Sequence, residues 1–441
     1  MNNSQCTIRH WETKGNAFSA IFATNQKHMS FKDLKLNRPI LRAIAEKGYD
    51  SPTLVQEKTI PLVLNKKDVI VSAQTGTGKT AAFALPILQS LYDKQEAPKK
   101  GKKIRALIVS PTRELAIQIE NNFQSYSTHT KLITAVIFGG ASIEPQKEAL
   151  KNGVDIMIAT PGRLLDLHKQ DVVNLDYVET LVLDEADLML DMGFIDDVKK
   201  IERLCPKEKQ TLLFSATIPY KVEQLANTIL KSPQRIEVAQ NSSTSKNVNQ
   251  LLYFVPKPQK IELCLHLLRN TVNGHIIIFR RTKYGVDKLE KSLLKNGYKA
   301  GSIHGDKSQT DRQLALNSFK KKEINILVAT DVAARGIDID SLDAVINFDL
   351  PSAPETYVHR IGRTARAGNT GSAYSLCSAD ERDYVSNIQK LIHLQLDVIE
   401  DHPYPLDPKA KKEVHTSKKK GSKHKKGRKS EASKKKKKRW Y

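Results

Sequence analysis

Short apolar runs recur along the chain, separated by longer stretches whose apolar residues fall at helical spacing. The runs at 69–71, 105–110, 132–138, 155–159, 180–183 and 211–214 are rich in Val, Ile and Leu. A strand apolar on both faces must be covered on both, which predicts a parallel sheet sandwiched between helices. A polar segment at 240–247 interrupts the pattern, and runs at 251–255, 276–279, 324–329, 344–348 and 372–376 restore it. The expected fold class is α/β, with two doubly wound parallel-sheet domains joined by a short linker. The first domain is expected over 58–239 and the second over 248–400.

Ahead of the first strand, Leu34, Leu36, Ile40, Leu41 and Ile44 predict a helical stretch within 29–57, broken at Pro52 and restarted under a Thr53 cap. Residues 1–28 carry no usable period and are expected to be disordered, and Met29 is a candidate start. The stretch 380–396 reads as the final helix. Pro403, Pro405 and Pro408 then lead into an expected tail at 401–441.

With 441 residues and 39% hydrophobic content, the chain can bury sizeable cores. Its four cysteines lie far apart without paired spacing, so neither a disulfide framework nor a zinc site is indicated, and a reducing, cytoplasmic compartment fits best. No run of about 18 apolar residues is present to span a bilayer. The net charge of +23 is concentrated, because 409–441 holds 17 Lys and Arg against Glu413 and Glu431, or +15, leaving +8 for the rest. A segment so poor in apolar residues is expected to be disordered and to bind phosphate backbones electrostatically.

The chemistry centres on AQTGTGKT at 73–80, between an apolar run and a helix-like segment. In a strand-loop-helix turn the N–H groups around Gly76 and Gly78 point at a phosphate, Lys79 reaches the outer phosphates, and the Thr80 hydroxyl holds Mg²⁺. Ala73, Gln74, Thr75, Gly76, Thr77, Gly78, Lys79 and Thr80 thus form an expected nucleotide loop. Ala73 stands where the general pattern has Gly, which requires a negative φ there. At 180–187 the chain reads TLVLDEAD, a strand that delivers Asp184 and Glu185 into the same crevice. There Asp184 would hold Mg²⁺ and Glu185 would deprotonate the attacking water. The Gln56 amide has one donor and one acceptor edge, matching N6 and N7 of adenine, so it would select ATP, with Phe31 stacking on the base.

DEAD at 184–187, together with AQTGTGKT, resembles the DEAD-box family of ATP-dependent RNA helicases. Similar motifs follow in the family's order: GYDSPTLVQ (48–56), PTRELA (111–116), Gly139-Gly140, TPGR (160–163), SAT (215–217), FRRTK (279–283), ATDVAARGID (329–338) and HRIGRTARAG (359–368). They cover 31–368, and their tight spacing resembles the bacterial RhlE-type subgroup. Ala365 replaces a more widespread Gly.

The resemblance implies two RecA-like domains. Lys79 and Arg363 lie 284 residues apart, too far for one typical domain, so ATP should bind across an interface. It makes Arg363 and Arg366 arginine fingers on the γ-phosphoryl group, Asp338 a ribose contact, and Asp187, Ser215, Thr217 and His359 a coupling set. It runs RNA across both domains along Thr112, Arg113, Gly140, Thr160 and Arg163, then Arg280, Thr330 and Gly336, by backbone contacts without sequence information. The expected activity is RNA-stimulated ATP hydrolysis with local unwinding of short duplexes. The competing readings are an ATP-gated RNA clamp or annealing chaperone carried by the tail, and a DNA translocase.

Overall fold

The computed structural model describes residues 29–74, 76–94, 103–238, 248–334, 342–364 and 371–407. The expected linker, residues 1–28 and the chain beyond 407 lie outside them. Seven strands of the first half are β1 Val69–Ser72, β2 Ala106–Val109, β3 Thr134–Ile137, β4 Ile156–Ala159, β5 Thr180–Leu183, β6 Gln210–Ser215 and β7 Gln234–Glu237. They form one parallel sheet in the order β3-β4-β2-β5-β6-β1-β7.

The second half supplies β8 Val248–Phe254, β9 Ile276–Phe279, β10 Ala300–Ile303, β11 Ile326–Ala329, β12 Ala344–Asn347, β13 Gly371–Cys377 and β14 Asp397–Val398. Their order, β10-β11-β9-β12-β13-β8-β14, is the first order with each strand number raised by seven. The two halves therefore share one topology, that of the expected paired domains.

Side-chain alternation explains why both faces are apolar. Val69 and Val71 enter one core while Ile70 enters the other, and Ile156 and Ile158 divide from Met157 and Ala159 in the same way. One face is covered by α1 Arg38–Glu46, α2 Leu54–Leu64, α3 Lys79–Asp93 and α4 Arg113–Tyr126. On the rim of the sheet lies α5 Glu144–Lys151, and α6 Pro161–Lys169, α7 Ala186–Asp191, α8 Ile195–Leu204 and α9 Tyr220–Ile229 close the other face. Phe83 packs against Phe123 and Phe214, with ring centroids 6.1 and 5.1 Å away. Each such buried ring contributes about 1.5–3 kcal/mol.

In the second domain α10 Lys260–Asn270 and α11 Lys283–Lys295 pack on Ile276 and Ile278, whereas α12 Gln309–Lys320 and α13 Asp331–Ala334 pack on Ile277 and Phe279. The last two helices, α14 Pro354–Ile361 and α15 Arg382–Ile392, share a third cluster with β8 and β13.

Three strands have no counterpart among the apolar runs. β7 reads QRIE at an exposed edge, β10 reads AGSI, and β14 has two residues. Their pairing comes from the neighbouring strand, not from their own pattern. The helical stretch expected from 30 onward is a short 3-10 turn at Phe31–Leu34, ended by Lys35 in the left-handed region, and then α1, which starts with Pro39 in its first turn. Thr53 caps α2 as expected, its hydroxyl accepting the Gln56 N–H.

Residues 401–407, expected in the tail, instead belong to the second domain. Tyr404 packs on its core, the His402 ring meets Tyr253 edge-on at 5.6 Å, and the Leu406 N–H bonds the Phe254 carbonyl at 3.0 Å. Pro403 and Pro405 therefore lie within this packed segment, and Pro408 lies outside the described residues.

Candidate functional site

The loop after β1 takes its shape from two glycines. Gly76 and Gly78 have φ of +83° and +86°, while Ala73 keeps out of the left-handed region, so its methyl group is accommodated. Thr75 lies outside the described residues. Within the loop the Thr77 hydroxyl donates to the Gln74 carbonyl at 2.7 Å. The start of α2 braces it from outside: the hydroxyl of its cap, Thr53, donates to the Thr77 carbonyl at 2.8 Å, and Gln56 Nε2 donates to the Gly78 carbonyl at 3.2 Å. A Cβ on Gly78 would sit 2.4 Å from that Nε2. Gln56 Oε1 accepts the Thr53 N–H at 3.0 Å, so here the amide ties the cap of α2 to the loop. Phe31 is buried in the first core.

Lys79 and Thr80 open α3, whose N-terminal N–H groups and dipole favour an anion. Lys79 is buried, with Nζ 3.1 Å from Glu185 Oε1. Burial opposes its charge, but Glu185, Asp184 and Asp187 outweigh burial and hold the ammonium above its ordinary range. Asp184 follows β5 and is pushed up to about 7, first by burial and then by the neighbouring Glu185 carboxylate. Glu185 has φ +53°, a left-handed backbone rare outside glycine, which turns its side chain back toward Lys79 at the start of α7.

Three carboxylates thus share one lysine. Among the described residues no cluster of three or more His, Cys, Asp or Glu is arranged to hold a metal by itself. Mg²⁺ needs only one or two protein ligands when phosphates and water supply the rest. The excess negative charge around Asp184, with the Thr80 hydroxyl at the start of α3, fits such an ion.

Burial works to raise the Asp187 carboxyl, yet His359 from α14, Lys79, and hydrogen bonds from Thr217 and Ser215 hold it below the usual carboxylate range. The Thr217 N–H and hydroxyl reach Asp187 Oδ2 at 2.9 and 3.0 Å, and the Asp187 N–H donates to Ser215 Oγ at 3.1 Å. Ser215 and Thr217 of the expected coupling set therefore bond Asp187, and the charge of His359 acts on the same carboxylate. Arg363 is buried just beyond α14. Its neighbour Arg360 grips Asp331 through two bonds of 2.6 and 2.8 Å and also bonds Asn347 Oδ1, anchoring the helix that carries His359. Arg366, Asp338 and Gly336 lie outside the described residues.

Along the same C-terminal edge of the sheet, beyond β3, β4 and β2, a groove of about 510 Å³ is lined by Thr112, Arg113, Gly139, Thr160, Arg163 and, from the second domain, Arg312. Gly140 has φ +68°, and a Cβ there would fall 1.5 Å from Arg113 Nη2, so only glycine lets the guanidinium lie against it. Thr330 follows the last residue of β11. Arg280 is packed into its domain. Its guanidinium stacks 4.0 Å from the Phe348 ring centre and pairs with Asp349 at 3.0 Å, with 15% of the side chain exposed.

Sequence reasoning missed the residues that join the domains beside this groove. Arg113 Nη1 donates to Gln309 Oε1 at 2.8 Å, and Arg312 pairs with Glu114 at 3.0 Å. Gln309 and Arg312 stand three apart at the start of α12, hence on one helix face, which is the sole local hint in the sequence. Their partners lie nearly two hundred residues away.

Comparison with known proteins agrees with this geometry. The DEAD/DEAH box helicase model matches residues 53–225, and the helicase conserved C-terminal domain model matches 259–368. The chain is 43% identical to the DEAD-box ATP-dependent RNA helicase RhpA of Helicobacter pylori (strain B128), over 84% of this chain and 74% of that one. It is 42% identical to the DEAD-box ATP-dependent RNA helicase CshA of Bacillus subtilis (strain 168), over the same shares. Among solved structures, S. cerevisiae Dbp5 bound to RNA and ADP BeF3 superposes with a TM-score of 0.74 at 31% identity, covering 84% of this chain and 95% of that one. These likenesses favour the helicase reading over a clamp, a chaperone or a DNA translocase. With two family models matched in order and relatives this similar over most of their length, the chain belongs to the DEAD-box family of ATP-dependent RNA helicases.

Proposed function

We propose that the chain couples ATP hydrolysis to local separation of short RNA duplexes by closing its two domains around both ligands. The observation that carries this is that the second domain reaches the first at the groove, Gln309 with Arg312 on Arg113 and Glu114, while the charge of His359 also bears on Asp187 in the nucleotide cleft. A closure that tightens one contact must act on the other.

In the cleft the loop 73–80 would wrap the phosphates, with Lys79 released from Glu185 to the β- and γ-phosphates. Glu185 would then orient and deprotonate the attacking water. Thr80 and Asp184 would hold Mg²⁺, which when bound neutralises phosphate charge. Arg363 and Arg366 would stabilise the γ-phosphoryl group from the second domain, a contribution of roughly 10³ to 10⁵ in rate where such arginines act. Asp338 would contact the ribose, and Gln56 with Phe31 would recognise adenine. Asp187, Ser215 and Thr217 would relay closure to the groove, where Thr112, Arg113, Gly140, Thr160 and Arg163, then Arg280, Thr330 and Gly336, would follow one RNA strand by its backbone.

The charge of 409–441 supports extra electrostatic binding of RNA. No helix among the described residues is long and apolar enough to cross a membrane, and cysteine usage supports a cytoplasmic setting. The tight motif spacing supports a place near the RhlE-type members. The test is ATP turnover with no nucleic acid, with single-stranded RNA and with single-stranded DNA, a short RNA duplex being followed in the same tube. Stimulation by RNA with strand release is expected. Turnover indifferent to RNA overturns the proposal.

A further inference from the structure

The loop 138–142 borders the groove, and side chains hold every residue of it. Gln146, buried on α5, accepts the Phe138 N–H at 2.9 Å and donates from Nε2 to the Phe138 and Ser142 carbonyls at 3.2 and 2.9 Å. Thr160 Oγ1 accepts the Gly139 N–H at 3.3 Å, the Arg113 guanidinium lies against Gly140, and Arg163 Nη2 donates to the Ala141 carbonyl at 3.1 Å.

Three of these four holders are residues that would also contact RNA. A phosphate offers an arginine a charge-assisted bond, stronger than the one a neutral carbonyl gives. RNA therefore draws Arg113 and Arg163 away from the loop at the moment the loop must hold its shape. Gln146 has no such competitor. Its acceptor and both of its amide protons are already engaged by the backbone, at both ends of the two glycines.

We infer that Gln146 is a positioning residue for RNA, keeping Gly139 and Gly140 in the conformation that admits a sugar-phosphate backbone once the arginines have turned to the phosphates. The inference rests on the RNA reading of the groove given above. No other type among the neutral side chains of this length offers one acceptor and two donors in a plane. The Q146E substitution would keep the bond to the Phe138 N–H but set a carboxylate oxygen against two carbonyls, and Q146M would fill the space without any bond.

The test compares Q146E and Q146M with the unaltered full-length chain in RNA-stimulated ATP hydrolysis, alongside thermal melting. The RNA concentration at half-stimulation should rise roughly 5- to 20-fold, the equivalent of about 1 to 1.8 kcal/mol. The ATP KM, the maximal rate at saturating RNA and the RNA-free rate should stay within about twofold, since those groups lie elsewhere. An unchanged half-stimulation concentration overturns the inference. So does a parallel loss of maximal rate and ATP affinity, or a melting temperature so lowered that loss of folded protein accounts for the change. If the unaltered chain itself neither binds RNA nor responds to it, the functional reading fails and this inference falls with it.

Discussion

The two domains share one sheet topology but bury charge in opposite ways. In the first, Lys79 faces Asp184, Glu185 and Asp187, so acid exceeds base and the Asp184 carboxyl is driven up to about 7. In the second, the buried charges are matched. Lys260 and Glu381 pair at 2.6 Å with side chains 2% and 3% exposed, and Glu381 also accepts from Arg281, the Leu350 N–H, and the Ser378 N–H and hydroxyl. Arg360 and Asp331 form a second matched pair. Unmatched charge in a cleft awaits a ligand, whereas matched charge serves as a strut.

The same substitution made in both places gives the sharpest contrast. Glu185→Gln should lower RNA-stimulated ATP hydrolysis by roughly 10²- to 10⁴-fold, the usual worth of a positioned base, while binding of ATP and RNA persists. Its melting temperature should stay near that of the unaltered chain, because two carboxylates still oppose Lys79. A variant that no longer binds ATP would show Glu185 to be part of the binding frame and not the base. Glu381→Gln should do the reverse, costing the second domain up to about 3–5 kcal/mol by leaving buried Lys260 with only the Asp349 carboxylate, 3.8 Å away, as its counterion, with turnover per folded molecule little changed. Denaturant unfolding decides this one, and an unchanged midpoint would remove the distinction between strut and site.

A smaller effect is expected at Gly140→Ala. The left-handed φ and the guanidinium in the Cβ position both resist a side chain. The RNA concentration at half-stimulation should rise about tenfold, the equivalent of roughly 1.4 kcal/mol, with basal hydrolysis intact. A rise in ATP KM instead would tie the loop to the nucleotide. Smallest at physiological salt should be removal of 409–441: weaker RNA affinity, a dependence on salt flatter by about 0.7–0.9 for each phosphate no longer neutralised, and unchanged basal hydrolysis. A salt slope equal to that of the full chain would leave the folded domains as the whole RNA site.

Local chemistry made much of this legible in the sequence. The glycines of the phosphate loop, the strand that leads into Asp184, and apolar runs with two buried faces are each set by residues close together in the chain. The paired sheets follow from such runs, while β7, β10 and β14, whose own residues are polar, small or too few, do not. Long-range partners escape too. Gln309 and Arg312 acquire meaning only once α12 meets the start of α4. Gln146 is an ordinary amide until the fold sets it against Phe138. Arg280, an RNA contact by resemblance, follows β9 on the face of Ile276 and Ile278 and is turned inward onto Phe348 and Asp349.

The central claim is that two unlike domains form one split device, and the most direct measurement is RNA affinity with and without a non-hydrolysable ATP analogue and Mg²⁺. Closure on both ligands predicts that the analogue tightens RNA binding, by roughly 5- to 150-fold for a typical coupling, and that RNA tightens the analogue by the same factor. Equal RNA affinity in the two conditions would contradict it, leaving two domains that bind their ligands independently.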